Sequence, residues 1–208
     1  MLVERIVVGD IETNCFILAD RKNRVGMVID PGDDYRKIAQ IIGKLEIKIE
    51  KIILTHGHID HIGALDDLRK RTGAEVLIHS KDANMLLDSI SNLSMLVGNE
   101  HRFLPADKLL KNGESIECRD LGLRVIHTPG HTPGGICLVG ENAIFTGDTL
   151  FNGSVGRTDL PGSSWDDLRT SLGKILEIEV NLKVYPGHGP ISELEWEKRN
   201  NPFLLELE

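Results

Sequence analysis

A run of metal-ligating side chains lies between Thr55 and His61, where the sequence reads Thr-His-Gly-His-Ile-Asp-His. His56 and His58 are two residues apart, so in an extended loop their imidazole rings can point the same way. Asp60 and His61 fall at the start of a predicted helix and turn away from that pair. Imidazole and carboxylate groups are common ligands of Zn, Fe and Mn. The run therefore predicts ligands for two metal ions that lie close together.

Three further candidate ligands follow glycine-containing turns in the second half of the chain: His131, Asp148 and His188. Each comes after a predicted buried strand, and loops at strand ends commonly carry functional groups. Asp148 is the natural bridging ligand, because a carboxylate has two oxygens and can bind two cations. A lone histidine beside a strand is usually structural, and Gly-Asp is common in turns. Because the chain also contains the 55–61 run, we interpret all three residues as metal ligands.

The other histidines are predicted to be structural or to support the ligands. They are His79, His101 and His127. His127 lies four residues before His131 and ends a predicted strand, where its ring could orient a ligand by hydrogen bonding.

Hydrophobic periodicity predicts the elements that position these loops. In the first half, strands are expected at 3–8, 14–19, 25–29, 51–54 and 74–78, and helices at 35–45, 60–71 and 81–87. In the second half, strands are expected at 115–118, 123–127, 135–139, 143–145 and 183–185, and helices at 165–176 and 193–199. The first three strands resemble a small antiparallel sheet, and residues 88–105 are expected to form a loop. The pattern predicts an α/β (α+β) fold, with two sheets at the core and helices on both outer faces.

Composition narrows the class of protein. The chain has 208 residues and a formal net charge of −8, which argues against a broad nucleic-acid surface. No apolar run reaches the roughly 18 residues that span a bilayer, and the N-terminus does not read as a signal peptide. Cys15, Cys118 and Cys137 are widely spaced and are predicted to be small core residues in a reducing compartment. We expect one cytoplasmic domain over residues 1–208, without nucleic-acid or membrane partners; the oligomeric state stays open.

The ligand pattern resembles that of the metallo-β-lactamase superfamily, which carries H-x-H-x-D-H, then single His, Asp and His residues in this order. The resemblance covers nearly the whole chain and implies a four-layer αββα sandwich with the site at one edge of the sheets. Carried over residue by residue, it implies two divalent metal ions, zinc first, with iron or manganese as alternatives. His56, His58 and His131 would hold one ion; Asp60, His61 and His188 would hold the other, and Asp148 would bridge them.

Within the superfamily, the chain looks similar to the short glyoxalase II-like hydrolases. The motifs are the 55–61 run, the stretch 127–135, residues 145–151, the turn 156–162, Pro-Gly-His-Gly-Pro at 186–190 and Asn-Pro-Phe at 201–203. This implies hydrolysis of a thioester such as S-D-lactoylglutathione by a water that two cations activate, with Asp60 and Asp148 as the catalytic carboxylates.

Two departures bear on the substrate. Two-domain glyoxalase II enzymes have Gly-Lys followed by a Tyr where this chain has Gly156, Arg157, Thr158 and Asp159. Arg157 could replace the Lys and hold a substrate carboxylate, or it could pair with Asp159. Those enzymes also continue beyond Asn-Pro-Phe into a helical segment that grips glutathione, which weakens the expectation that glutathione is bound here.

Several alternatives stay open. A persulfide dioxygenase, which is a mononuclear iron oxidoreductase on the same fold, shares the 156–159 pattern, and a lactonase would use the same ligand set. An antibiotic hydrolase is disfavoured because zinc β-lactamases usually lack an Asp that matches Asp148. A nuclease is disfavoured by the charge and by the short interval between Asp148 and His188. A non-catalytic, metal-stabilised binding module is disfavoured by the complete ligand set with glycine-lined access.

Overall fold

The computed structural model describes residues 2–98 and 100–207. The first sheet and its helices comprise β1 (Leu2–Val8), β2 (Thr13–Asp20), β3 (Val25–Ile29), α1 (Tyr35–Leu45), β4 (Lys48–Ile53), α2 (Ile59–Ile62), α3 (Leu65–Thr72), β5 (Glu75–His79) and β6 (Lys108–Leu110). The second half comprises β7 (Ser115–Cys118), β8 (Leu121–His127), β9 (Ile136–Val139), β10 (Ala143–Gly147), β11 (Leu150–Phe151), β12 (Ser154–Val155), α4 (Trp165–Leu176), β13 (Lys183–Pro186), β14 (Ser192–Glu193), α5 (Leu194–Asn200) and α6 (Pro202–Leu205).

Two six-stranded sheets form the centre of the molecule. The first has the order β1-β2-β3-β4-β5-β6 and the second has the order β14-β13-β10-β9-β8-β7. The strand pairs β3–β4, β4–β5, β5–β6 and β10–β13 are parallel. The carboxyl ends of parallel neighbours meet at one edge, so the loops after β3, β4, β10 and β13 converge there.

The layers are held together by three apolar clusters. Between the sheets, Phe16 and Phe145 pack edge to face with ring centroids 5.3 Å apart. Ile38 and Leu68 bring α1 and α3 onto the outer face of the first sheet. Leu172 is one of the α4 residues that cover the outer face of the second sheet. This arrangement is the expected four-layer αββα sandwich.

The cysteines are buried and free, as predicted for core residues. The antiparallel strands of the first thirty residues are also confirmed, but they do not form a separate small sheet, since β3 continues through parallel pairing into β4, β5 and β6. The predicted helix at 81–87 is a 3-10 helix at Ala83–Leu87.

The single helix predicted at 60–71 is wrong: the structure has α2 and α3 with a break at Gly63 and Ala64. The amide of Ala64 donates to the carbonyl of Pro31 over 2.9 Å instead of continuing the helical ladder. A Cβ atom at Gly63 would lie 2.2 Å from the carbonyl oxygen of Gly32. The break thus lets the loop after β3 approach the 55–61 run, a contact that sequence periodicity does not report.

Among the described residues, no helix combines the length and apolar character that crossing a bilayer requires.

Candidate metal centre

The seven predicted ligands come together at one edge of the two sheets. His56 and His58 follow β4, and Asp60 and His61 lie in α2. The other three are contributed by the second sheet, from the loops after β8, β10 and β13: His131, Asp148 and His188. The rigid sheets therefore place residues that are far apart in the chain within contact distance of one another.

Three histidines form the first group of donors: His56, His58 and His131. Their ligand atoms all lie within 4.8 Å of one another, and the three side chains are buried. Nδ1 of His58 lies 2.9 Å from Nε2 of His131. Three converging imidazole nitrogens are an ordinary ligand set for a divalent transition metal.

Asp60, His61 and His188 form the second group, with ligand atoms again within 4.8 Å of one another. Oδ2 of Asp60 lies 3.2 Å from Nε2 of His188 and 3.6 Å from Nε2 of His61. Two imidazoles and one carboxylate also form a recurrent metal-ligand set.

Asp148 reaches both groups. Its Oδ1 atom lies 3.2 Å from Nε2 of His61, and its Oδ2 atom lies 3.4 Å from Nε2 of His131. The carboxylate thus presents one oxygen to a histidine of each group, which is the placement that a bridging ligand needs.

Four of the histidines are held at Nδ1, which leaves Nε2 directed to the cluster. Nδ1 of His131 lies 2.8 Å from the carbonyl of Arg157, and Nδ1 of His188 lies 3.2 Å from the carbonyl of Ile11. His56 is held by the hydroxyl of Thr55, and His61 by a carboxylate. Such partners fix the ring orientation and tautomer of a metal-binding histidine.

The partner of His61 is Asp30, which sequence reasoning missed. Asp30 directly follows β3, and its carboxylate also accepts hydrogen bonds from the amide and hydroxyl of Thr55, over 2.7 and 2.6 Å. The only signal in the sequence was an aspartate after a buried strand, the same setting as Asp148. Asp30 therefore ties the end of β3 to the 55–61 run.

Neighbouring charges and burial set the protonation of the donors. Burial, followed by the charges of neighbouring histidines, lowers the pKa of His58 to about 3 and that of His56 well below its usual range. Burial alone would raise the pKa of Asp60 and Asp148, but His61 and the other histidines outweigh it and lower both. Near neutral pH His56 and His58 therefore present neutral nitrogens, and Asp60 and Asp148 present anionic oxygens, the forms that bind cations. The carboxylates outweigh burial and raise the pKa of His61 and His188, so these two rings would release a proton on binding a cation.

The donor set fits metal ions. Two buried atoms of the cluster, Nε2 of His56 and Oδ1 of Asp148, have no hydrogen-bond partner among the described residues. Leaving a buried polar atom unpaired costs about 1–3 kcal/mol. A cation coordinated within the cluster would offset that cost and would also stabilise the anionic form of the two carboxylates.

Two glycines allow the backbone to close around the cluster. A Cβ atom at Gly32 would lie 1.8 Å from the carbonyl oxygen of Asp60, and one at Gly156 would lie 1.8 Å from that of Asp148. Any side chain at either position would displace a segment that carries a donor.

The cluster opens into a pocket of about 480 Å³, which is lined by His58, Asp60, His131, Asp148 and His188 among others. Small-molecule sites commonly have this form, with a few polar groups at one point of a concave surface.

Arg157 also lines the pocket, but its guanidinium is already paired. Its Nε and Nη2 atoms donate to the two carboxylate oxygens of Asp159 over 2.6 and 2.8 Å. Both side chains are largely exposed. The internal pair, one of the two alternatives raised by the sequence, is the one observed.

The remaining histidines lie outside the cluster. The expectation that His127 orients a ligand is wrong: its Nε2 atom contacts the carbonyl of Pro133, and its ring stacks on His79 with centroids 4.1 Å apart. The loop after β8 turns before His131, so the ring of His127 is directed to that loop instead. His101 lies beside Phe103.

The sequence profile of the metallo-beta-lactamase superfamily matches residues 8–188. The chain belongs to this superfamily. It is 33% identical to the hydroxyacylglutathione hydrolase GloC of Haemophilus influenzae, over 98% of each chain. It is 36% identical to the probable metallo-hydrolase YqgX of Bacillus subtilis, over 96% of each chain.

Solved structures show the same fold. The B3 metallo-beta-lactamase BLEG-1 superposes with a TM-score of 0.92 at 35% identity, covering 98% of this chain and 99% of the other. A di-iron-bound form of TTHA1623 gives 0.87 at 32% identity, covering 97% and 100%. ETHE1 from Myxococcus xanthus gives 0.80 at 26% identity, covering 97% and 84%.

Proposed function

We propose that this chain is a hydrolase that uses two divalent metal ions to cleave a thioester. The observation that carries the proposal is the position of Asp148, whose two oxygens face histidines of the two donor groups. The likeness to GloC, a hydroxyacylglutathione hydrolase, supports a thioester as the substrate. S-D-lactoylglutathione is therefore the first substrate to assay.

The first ion would be held by His56, His58 and His131, and the second by Asp60, His61 and His188, with Asp148 shared. Such ions, when bound, lower the pKa of a water so that a nucleophile exists near neutral pH. Zinc is the first expectation; the di-iron form of TTHA1623 keeps iron open, and manganese accepts the same donors.

The protein's own residues bind and orient the reactants. Asp60 is only partly buried and faces the pocket, where its Oδ2 atom lies 3.4 Å from the hydroxyl of Thr13. Its carboxylate can accept a proton from the attacking water, and Asp148 holds the two donor groups together. In the overall reaction the carbonyl carbon gains a C–O bond and loses its C–S bond, and water supplies the proton of the released thiol. A thiolate leaves readily, so no strong general acid is required.

The decisive experiment compares the unmodified protein with Asp148→Ala, with bound metals quantified in both. Hydrolysis of S-D-lactoylglutathione is expected to fall by at least about a hundredfold in the variant, with loss of bound metal and retention of the fold by circular dichroism. Asp120→Ala is a matched control, because Asp120 is exposed and lies outside the cluster. Retained activity without Asp148, or loss of the fold alone, would contradict the proposal.

A second candidate is hydrolysis of a β-lactam, which is favoured by the 35% identity and close superposition with BLEG-1. A chromogenic cephalosporin assayed beside the thioester separates the two: turnover of the cephalosporin alone would replace the thioester assignment. Lactonase activity is tested in the same panel. Iron at one atom per chain, with oxygen uptake on glutathione persulfide, would instead indicate the dioxygenase alternative.

A further inference from the structure

Apart from the donor cluster, most of the pocket surface is apolar. One part is contributed by the loop that follows the 3-10 helix, through Leu93, Leu96 and Val97. Another is contributed by the β11–β12 hairpin, through Phe151 and Val155. Uncharged side chains from these two segments therefore share the pocket with the donor cluster.

The loop is anchored by buried polar residues. Asn92 and Ser94 are fully buried on either side of Leu93. The carbonyl of Asn92 accepts from the amide of Ile59 over 2.8 Å, and the side chain of Asn92 donates to the carbonyl of His101 over 3.0 Å. The first of these bonds connects the loop to the start of α2, which carries two of the donors.

Leu93 adopts a backbone conformation that leucine rarely uses, with φ of 68°. Side chains other than glycine, asparagine and aspartate are disfavoured there, and such conformations cluster at ligand sites. The anchored loop therefore holds a strained leucine at the pocket, which is consistent with a role in binding.

Exposure of the apolar side chains points the same way. Leu96 is 74% exposed, Val97 is 56% exposed and Ile11, which also lines the pocket, is 55% exposed. Covering apolar surface at the edge of a polar cluster with a ligand lowers the free energy of the complex. An apolar ligand would remove this surface from water. A charged ligand would find no polar partner among these three side chains.

Charge complementarity to glutathione is weak. Glutathione carries two carboxylates and one ammonium group, and desolvated charges need partners. Among the described residues that line the pocket, the single Lys or Arg is Arg157, and Asp159 already occupies it. The carboxylates of the lining, Asp60 and Asp148, belong to the donor cluster.

We propose that the substrate is a thioester with an apolar acyl group, and that a glutathione moiety contributes nothing to its recognition. This inference rests on the proposed function. The specificity-determining residues are Leu93, Leu96, Val97 and Phe151. An acyl chain that extends from the donor cluster along these side chains exchanges water contacts for apolar contacts at each added methylene.

The test is a matrix of thioesters assayed with the metal-loaded protein. Acetyl, butanoyl and hexanoyl groups are each attached to glutathione and to N-acetylcysteamine, an uncharged thiol. We expect kcat/KM to rise by about two- to fourfold per methylene, hence by more than about tenfold over the four methylenes that separate acetyl from hexanoyl, on both thiols. A preference for glutathione thioesters of about tenfold or more would overturn the inference, and so would the absence of a gain along the acyl series on both thiols.

A pair of variants locates the effect. In Leu96→Ser the rise from acetyl to hexanoyl is expected to flatten, because the side chain that covers the acyl chain is lost. Met95→Ser is the matched control: Met95 is 53% exposed and adjacent, but it does not line the pocket, so the slope is expected to persist. Both sites are exposed, so both variants are expected to fold. If kcat/KM for Leu96→Ser rises with acyl length as it does for the unmodified protein, the assignment of Leu96 as a contact of the acyl chain is contradicted.

The outcomes also separate this inference from the proposed function. If the metal-loaded protein hydrolyses no thioester on either thiol, the proposed function fails. If it hydrolyses thioesters but shows the glutathione preference or the flat acyl series described above, the proposed function stands and the further inference fails.

Discussion

Nδ1 of His61 donates a hydrogen bond to Oδ2 of Asp30 across 2.9 Å, and both side chains are buried. Burial alone would lower the pKa of His61, but the carboxylates of Asp148, Asp60 and Asp30 outweigh it and raise the pKa well above its usual range. The bond turns Nε2 of His61 towards Asp148. Asp30, which is not one of the candidate metal ligands, therefore sets the orientation of His61, which is one.

Asp30→Asn is expected to weaken metal binding by about 10- to 100-fold, because an amide is a poorer acceptor and no longer polarises the ring. Titration against a competing chelator measures the change. Asp20→Asn serves as control, since Asp20 is buried but bonds to Asn23 and Asp120, outside the cluster. Equal metal affinity of Asp30→Asn and the unmodified protein would show that the contact is only structural.

Gly156→Ala is expected to lower hydrolysis by more than about tenfold and the free energy of unfolding by about 1–3 kcal/mol. The added Cβ would meet the backbone carbonyl of Asp148, so the loop that carries this carboxylate must move. Gly122→Ala is the control, because a Cβ there meets no atom within 4 Å. Activity assays and urea denaturation test the pair; equal behaviour of the two variants would refute the prediction.

Asp82 predicts a pH dependence of stability. Burial raises its pKa to about 6 despite hydrogen bonds from Thr132 and Gly134. Because the folded-state pKa lies above the unfolded value, this residue's contribution to stability is fully present below about pH 4 and is lost as the pH rises through about 6. The loss is on the order of 3 kcal/mol. Urea denaturation from pH 4 to 8 should show that the free energy of unfolding falls more for the unmodified protein than for Asp82→Asn. Parallel pH dependences of the two proteins would be inconsistent with the raised pKa.

Asp159→Asn releases the guanidinium of Arg157 from its bidentate pair. The free cation can then bind a substrate carboxylate, so kcat/KM for glutathione thioesters is expected to rise by roughly three- to tenfold. The N-acetylcysteamine thioester with the same acyl group should be unaffected, since it offers no carboxylate. The double variant Asp159→Asn with Arg157→Ala should abolish the gain; a gain that survives it would not come from Arg157.

Much of the fold and of the donor cluster could be predicted from the sequence. Strand periodicity and turn residues located the strands that precede His131, Asp148 and His188, and the structure confirms them. The 55–61 run needed no tertiary information, because four ligand-type side chains within six residues rarely serve a structural purpose. The roles of these residues as metal ligands, the single domain and the cytoplasmic location stay predictions.

Only the tertiary structure decided what surrounds the donors. Nothing local to Asp30 or Asp82 in the sequence indicates that one lies against His61 and the other against Thr132. The break at Gly63 depends on a carbonyl that approaches from the loop after β3. The physical reason is the range of the interactions: ligand type and strand periodicity are local properties of the chain, whereas hydrogen-bond partners and pocket walls are contributed by segments that only folding brings together.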